Sequence, residues 1–451
     1  MAAAAEAVSS APVEMQDHYS EYLAGVNTAI DVVATEDILN HKGVLITRRG
    51  TRIDHATSRR LIQHKLSRPL EQQVQLSDSI DSQQIYDHWR QVLARYPDLA
   101  QMHNQLGFEP EYQRILLHLT LDPLIVQKLT VLLRQLPATF EKALFCSWVS
   151  ALVVKEMGLD SGAMQAVIVA SLAHDLGFLH IDPGVLSKRG PLSNEEWRTL
   201  QAHVVIGQQF LAALPDMDQR VPAAVLEHHE RCDGTGYPTG RTARLGTLGR
   251  VIGLADSLQA VRIERFAASG RTLRDAMPYL QMNDVTHSAE VYRAMSALLR
   301  KSGLERAHIN PLNNIGGWAQ RLEQRCTALS EIRMVLLDLQ QQLLDSTAGR
   351  NPYGAALLTA VNSVIVNMVS AGIQGELLRD WLKSCRDGDE AALPDLNEID
   401  LITDELGWQV NHVRRTAEGY CDKAGDPTLQ LRQPLGQLME HISRLRDLPT
   451  P

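Results

Sequence analysis

The chain has 451 residues, a formal charge of −9 and 44% hydrophobic residues, long enough for roughly two to four domains with sizeable cores. The acidic balance excludes a general nucleic-acid binder, which needs a concentrated basic surface, and no run of about 18 apolar residues marks a membrane span. Five scattered cysteines without CxxC spacing exclude a zinc ribbon or disulfide framework, and Met1-Ala2-Ala3-Ala4-Ala5-Glu6 lacks the features of a secretory signal, so a cytoplasmic protein is expected.

Residues 1–20 read as a loose terminus. Residues 21–80 read as a small β-rich module. In it, Ile30-Asp31-Val32-Val33 and Gly43-Val44-Leu45-Ile46-Thr47 form strands around a turn at Asn40-His41-Lys42-Gly43, before a helix through Leu61. Residues 81–137 read as a helical linker region. Tyr86, Trp89, Val92 and Leu93 share one helical face there, and Ile115, Leu116, Leu119 and Leu121 mostly another. His118, alone among apolar neighbours, is expected at the core or its boundary.

The chemistry concentrates in residues 138–303. Ala166 to Ala173 is apolar on nearly every face, so it predicts a buried helix that delivers His174 and Asp175 into an interior. Buried imidazole and carboxylate need partners, and a divalent cation is one. Ser193-Asn194-Glu195-Glu196 reads as a capping box for the helix that carries His203. His228-His229 closes the next helix, before the turn-rich run Asp233-Gly234-Thr235-Gly236-Tyr237-Pro238. Asp256 is an acid inside the apolar helix Arg250 to Asp256. Six such groups point to a metal site: His174, Asp175, His203, His228, His229 and Asp256. Gly234 and Gly236 are expected to adopt conformations closed to other residues, and Pro238 to stiffen the loop exit.

The string His174-Asp175-Leu176-Gly177, Val185-Leu186-Ser187-Lys188, Gly190-Pro191-Leu192, His203-Val204-Val205-Ile206-Gly207, His228-His229-Glu230-Arg231, Asp233-Gly234-Thr235-Gly236-Tyr237-Pro238 and Ala255-Asp256-Ser257-Leu258 resembles an HD-GYP domain, a branch of the HD phosphohydrolases. The resemblance covers about residues 138–300 and implies an all-helical core that hydrolyses cyclic di-GMP. It further implies two divalent metal ions, Fe or Mn first, with Zn or Ni as alternatives, bridged by Asp175. His174 and Asp256 would serve one ion, and His203, His228 and His229 the other. Asp175 and Tyr237 would be catalytic, and Gly236, Tyr237, Pro238 and Arg265 would meet the substrate. The module over residues 21–80 resembles one often found ahead of such domains.

Several positions depart from the family pattern. Where the family has a first metal-binding His, a gap-free count finds Lys142. Phe178 stands where a Lys is usual after HD-x-G, Ala138 where some members have a further carboxylate, and Ala268 where a second basic residue grips the dinucleotide. These changes point to a metal-dependent cyclic di-GMP phosphodiesterase of reduced activity. The alternative is a catalytically degenerate signalling scaffold or cyclic di-GMP sensor. Lys142 would either pair with Asp175 or Asp256 in place of an ion or reach out to water. Cys146 reads as a core thiol.

From Trp318 onward, apolar residues follow three-four spacing through Leu343, from Leu357 to Met368, from Ile399 to Val413 and from Leu435 to Leu445. Breaks at Gly349-Arg350-Asn351-Pro352, Arg386-Asp387-Gly388-Asp389 and Ala424-Gly425-Asp426-Pro427 divide residues 304–451 into about four helices, a C-terminal bundle. The bundle is expected to serve a protein partner or homodimer and to be separable near Ser302. The fold class is thus mainly α: a helical HD-GYP core, a small β-rich N-terminal module and a C-terminal helical bundle.

Overall fold

A computed structural model describes residues 16–190, 192–240, 245–266, 270–283, 288–306, 314–345, 352–373, 375–387, 390–424 and 429–447. The expected loose terminus before residue 16 and Ala268 lie outside the described residues, as do Gly349-Arg350-Asn351, Gly388-Asp389 and Gly425-Asp426-Pro427 of the expected breaks. The chain is mainly α-helical. Its described elements run α1 (Tyr19–Val26), β1 (Val32–Ala34), β2 (Ile38–Leu39), β3 (Leu45–Thr47), α2 (His55–Ile62), β4 (Val74–Leu76), α3 (Ser82–Arg95), α4 (Pro97–Gln105), α5 (Glu109–His118), α6 (Pro123–Gln135), α7 (Pro137–Glu156) and α8 (Ser161–Ala173). After a 3-10 turn at Leu176–His180 come α9 (Pro183–Leu186), α10 (Asn194–Gln201), α11 (His203–Ala212), α12 (Arg220–Glu227), α13 (Thr247–Val261), α14 (Met277–Met282) and α15 (Ala289–Lys301). The chain then forms α16 (Ile315–Asp345), α17 (Pro352–Ser370), α18 (Glu376–Ser384), α19 (Leu393–Ala424) and α20 (Leu429–Asp447).

The N-terminal strands are real but pair differently from the sequence reading. β2 and β3 form the hairpin around Asn40 to Gly43, whereas β1 pairs antiparallel with the distant β4. Local chemistry explains the hairpin: the Asn40 side chain accepts from the amides of Lys42 and Val44, each at 2.9 Å, and Gly43 takes φ +76°. No local signal marks β4, because Val74-Gln75-Leu76 is too short to show a period. Helix starts follow side-chain capping. Asp54 accepts from Thr57, Asp122 from Leu124 with Pro123 at the first helical position, and Ser193 with Glu196 completes a capping box. Gly158, at φ +69°, turns the chain from α7 into α8.

The chain forms two compact units. The first comprises Met1–Gln91, Gln113–Trp148 and Gln165–Leu226. Its interior is aromatic and aliphatic: Trp89 and Trp148 lie 5.1 Å apart, Phe145 packs edge-on to Trp148, and Ile125, Leu129, Val167, Leu172 and Leu211 are also buried. The stretch Ser161–His180 is long and apolar enough to cross a membrane, but 78% of it is buried within the protein. His118, expected at the core or its boundary, is exposed at the end of α5, where Nδ1 donates to the Arg114 carbonyl at 2.8 Å.

The second unit comprises Val92–Tyr112, Val149–Met164 and Glu227–Pro451. The three-four stripes of the sequence close into one core in which Trp318, Leu322, Leu329, Leu336, Val361, Met368, Leu406, Val413 and Leu438 are buried. Ion pairs run through this unit as well. Asp400 of α19 receives Arg271 at 2.5 Å and Arg325 at 3.3 Å, and Glu405 receives Arg265 at 2.6 Å. The sequence reading made the C-terminal bundle separable near Ser302. These contacts tie Arg265 and Arg271 to α19, so a cut there removes their partners.

Candidate metal centre

Three of the six expected ligands belong to the first unit. α8 ends at Ala173, and His174 and Asp175 follow in the turn before the 3-10 segment, both wholly buried. His203 does not ride the helix capped by Ser193. That helix, α10, stops at Gln201, and His203 begins the next one, α11, after Ala202. The break aims its ring inward: His203 Nε2 stands 3.4 Å from Asp175 Oδ1, and His174 Nε2 stands 3.2 Å from Asp175 Oδ2. Gly177 makes the approach feasible, because a Cβ there would stand 2.0 Å from the His203 carbonyl oxygen.

Backbone carbonyls assign the tautomers. His174 Nδ1 donates to Ser171 O at 2.6 Å and His203 Nδ1 donates to Leu200 O at 2.7 Å, and a carbonyl can only accept. Burial pushes the His203 imidazole down to about 4, despite the attraction of Asp175, so at neutral pH its Nε2 is a lone pair. Burial raises the Asp175 carboxyl, but the electrostatic attraction of His174 and Lys142 outweighs it and holds the group well below the usual carboxylate range. A lone pair therefore faces a carboxylate oxygen at 3.4 Å inside the protein, an arrangement that favours a cation between them. Two ligand atoms about 2.1 Å from one ion would be separated by such a distance at an angle of roughly 110°. The donor set, imidazole with its second nitrogen tied to a carbonyl and a buried carboxylate, fits a divalent transition metal.

Lys142 enters the same place. From α7 its Nζ reaches Asp175 Oδ2 at 2.7 Å, so it pairs with the carboxylate and does not turn wholly out to water. Phe178 stacks on His203 with centroids 4.1 Å apart. The sequence marked Phe178 only as a departure; here it braces a proposed ligand. Ala138 is exposed at the start of α7, and Cys146 is a buried thiol on the same helix.

The other three expected ligands belong to the second unit. His228 is buried and His229 half-buried just beyond α12, with rings 4.1 Å apart. His229 Nδ1 lies 3.8 Å from Asp256 Oδ2 of α13. α13 comes close at Gly253, where a Cβ would stand 2.4 Å from the His228 carbonyl.

The loop beyond them folds back on His229. Tyr237 N donates to the His229 carbonyl at 3.0 Å and its ring stacks on the imidazole at 4.6 Å. Gly234 has the positive φ expected, +81°, but Gly236 does not. Gly236 is required for space, since a Cβ would stand 2.3 Å from Arg231 N and 2.4 Å from His229 O. Glu230, to which the sequence reading assigned no role, anchors the loop exit by accepting from Thr239 N at 2.7 Å and Oγ1 at 2.5 Å. Pro238 is exposed.

Arg265 is engaged within its own unit. Its Nη1 meets Glu405, whose wholly buried carboxylate also accepts from Asn283 at 2.9 Å and Gln409 at 3.0 Å. Nothing in the sequence announces Glu405, 140 residues downstream in a stripe dominated by apolar spacing.

The family model described as "HD domain" matches residues 120–288. A cyclic di-GMP phosphodiesterase response regulator, RpfG, from Xanthomonas campestris pv. campestris is 32% identical over 136 residues, 30% of this chain and 36% of the relative. A cyclic di-GMP phosphodiesterase from Thermotoga maritima is 30% identical over 154 residues, 34% of this chain and 42% of the relative. The 3'3'-cGAMP-specific phosphodiesterase 3 from Vibrio cholerae serotype O1 is 30% identical over 133 residues, 29% of each chain. The chain thus spans less than half the length of these relatives. Its motif string and these matches agree: residues 120–288 match the HD-domain model, and their motif set is similar to that of the HD-GYP type.

Proposed function

We propose that the chain is a metal-dependent phosphodiesterase that hydrolyses cyclic di-GMP, with activity reduced by Lys142. The observation that carries this reading is the pair of imidazole nitrogens, His174 Nε2 and His203 Nε2, turned onto the two oxygens of the buried Asp175 carboxylate. The relatives named as cyclic di-GMP phosphodiesterases, at about 30% identity, support the substrate class. A relative named for 3'3'-cGAMP makes that dinucleotide the comparison substrate.

The proposed ligand set is His174, Asp175, His203, His228, His229 and Asp256, for two divalent ions, Fe or Mn first. When bound, such ions polarise a phosphodiester oxygen and make a water acidic enough to attack near neutral pH. The protein's own groups then orient and balance charge. Ser171 and Leu200 carbonyls hold the His174 and His203 tautomers, Phe178 excludes water from one face of His203, and Tyr237 presents its hydroxyl from a loop locked on His229. Arg265, partly exposed, is proposed to meet the dinucleotide, with Gly236, Tyr237 and Pro238 lining the approach.

A second reading has its own observation. Lys142 places a positive charge on Asp175 without a metal, so the site can be electrically balanced empty. The chain would then act as a cytoplasmic signalling scaffold or cyclic di-GMP sensor, with a protein partner or second copy docked on the C-terminal helices. Metal analysis and hydrolysis of cyclic di-GMP and 3'3'-cGAMP, with Mn or anaerobic Fe supplied, decide between the two. The enzyme reading expects hydrolysis by the parent and a faster rate in Lys142→His. No metal and no hydrolysis in either protein would leave the scaffold.

A further inference from the structure

A lysine that the proposed chemistry does not use is wholly buried in the first unit. Lys128 of α6 is 0% exposed, its Nζ donates to His180 Nε2 at 2.6 Å, and Glu71 Oε1 lies 3.3 Å away. Tyr19 and Phe210 cover it with their rings at 4.1 and 4.6 Å. His180 in turn donates from Nδ1 to Asp17 at 2.8 Å and stacks on Tyr19 at 5.3 Å. The backbone is gripped too: His18 N donates to His180 O at 3.3 Å, and Tyr22 Oη donates to Ile181 O at 3.0 Å. Five groups from two stretches of chain, residues 17–22 and Lys128, thus converge on residues 180 and 181.

His180 ends the 3-10 turn that begins beside Asp175. That turn is closed by Phe178 N on Asp175 O at 3.0 Å and Ile181 N on Phe178 O at 3.1 Å. It carries the Asp175 carboxylate at one end, the Phe178 ring against His203 in the middle, and Gly177 pressed on the His203 backbone. So short a segment transmits displacement, since it has no slack between its ends. A buried ion pair is weak evidence for stability, because neutral groups of similar volume often serve as well. Its value lies in fixing one geometry.

We propose that Lys128 and His180, with Asp17, Glu71 and Tyr22, form a clamp through which the N-terminal module positions Asp175 and His203 for metal. They are positioning residues and touch neither metal nor substrate. The inference rests on the metal-dependent reading of Asp175 and His203 but is tested apart from it.

The experiment uses the full chain and two variants: the charge-balanced pair Lys128→Met with Glu71→Gln, and His180→Phe, which keeps a ring against Tyr19. Mn(II) affinity, the visible spectrum of the Co(II) form and amide hydrogen exchange of the metal-free protein are compared at matched thermal stability. The clamp predicts Mn(II) binding weakened roughly 10-fold or more, the cost seen when a group orienting a ligand is removed. It also predicts an altered Co(II) spectrum and faster exchange at residues 176–181 and 203, with Tyr22→Phe intermediate. Parent-like affinity, spectrum and exchange in both variants overturn it, as does faster exchange with unchanged metal affinity. If one variant fails to fold, the other decides. If the parent itself takes up no metal, the proposed function fails, while unchanged exchange still refutes the clamp and faster exchange retains it as a device that sets Asp175 and His203.

Discussion

The two proposed ligand groups are held by opposite means. Around Asp175, the carboxylate and the His174 and His203 rings are wholly buried, and hydrogen bonds to carbonyls fix each ring. Around His229, the ring is half-buried and the geometry comes from a loop, with glycines where backbones touch and Glu230 and Tyr237 tying the loop down. The first group is rigid through burial, and its electrostatics are strong because water is excluded. The second is more open at His229, whose side chain is 15% exposed, which suits the proposed approach of a dinucleotide. The difference teaches that one departure from the family motif need not have the same consequence in both groups: Lys142 is absorbed as an ion pair in the closed one.

The comparison breaks most directly at Asp175. Asp175→Asn keeps the shape and removes the charge shared by His174, His203 and Lys142, so metal content should fall by about 100-fold in affinity, whereas His229→Ala should cost nearer 10-fold. Metal titration of both variants checks this, and equal losses would erase the contrast between the groups.

The next effect tests whether the open group depends on α19. Glu405→Ala leaves the Arg265 guanidinium without its wholly buried carboxylate partner and should cost about 3 kcal/mol of stability, read as a lower urea midpoint. For the same reason a chain ending at Ser302 should unfold at lower denaturant than the parent.

A similar magnitude sharpens the closed group. His203 titrates near 4 in the fold against 6.5 in the unfolded chain, so between these pH values the unfolded state binds more protons. The stabilisation is complete above about 6.5 and is lost as pH falls toward 4, amounting to about 3 kcal/mol. Urea melts of the metal-free protein across this range should show a drop that His203→Gln lacks.

The smallest expected effect is at the loop. Gly236→Ala would put a methyl within 2.4 Å of two backbone atoms, so the loop must shift, costing about 1–3 kcal/mol locally. Weakened quenching or altered chemical shifts of Tyr237 against His229, with unchanged behaviour at Asp175, would place the damage in the open group alone.

Much of this was legible in residue order because it depends on local chemistry. Capping residues, the apolar run before His174, the glycines of the loop and the three-four stripes of the C-terminal helices act over a few residues, and each predicts its element. The motif string carried the HD-domain match for the same reason, since its spacing is set by the helices that hold it. Where the reading failed, a second stretch of chain was involved. β1 pairs with β4 and not with its neighbour, His203 starts its own helix, and Gly236 is needed for space instead of for φ.

By itself the sequence determined the helical class, the candidate metal-binding residues and the match of residues 120–288 to the HD-domain model. Only the tertiary structure decided that Lys142 pairs with Asp175, that Phe178 braces His203, that Glu405 takes Arg265, and that Lys128 lies buried against His180. Each is a contact across tens to more than a hundred residues, whose strength comes from burial and exclusion of water, and neither is a property of any short stretch of sequence.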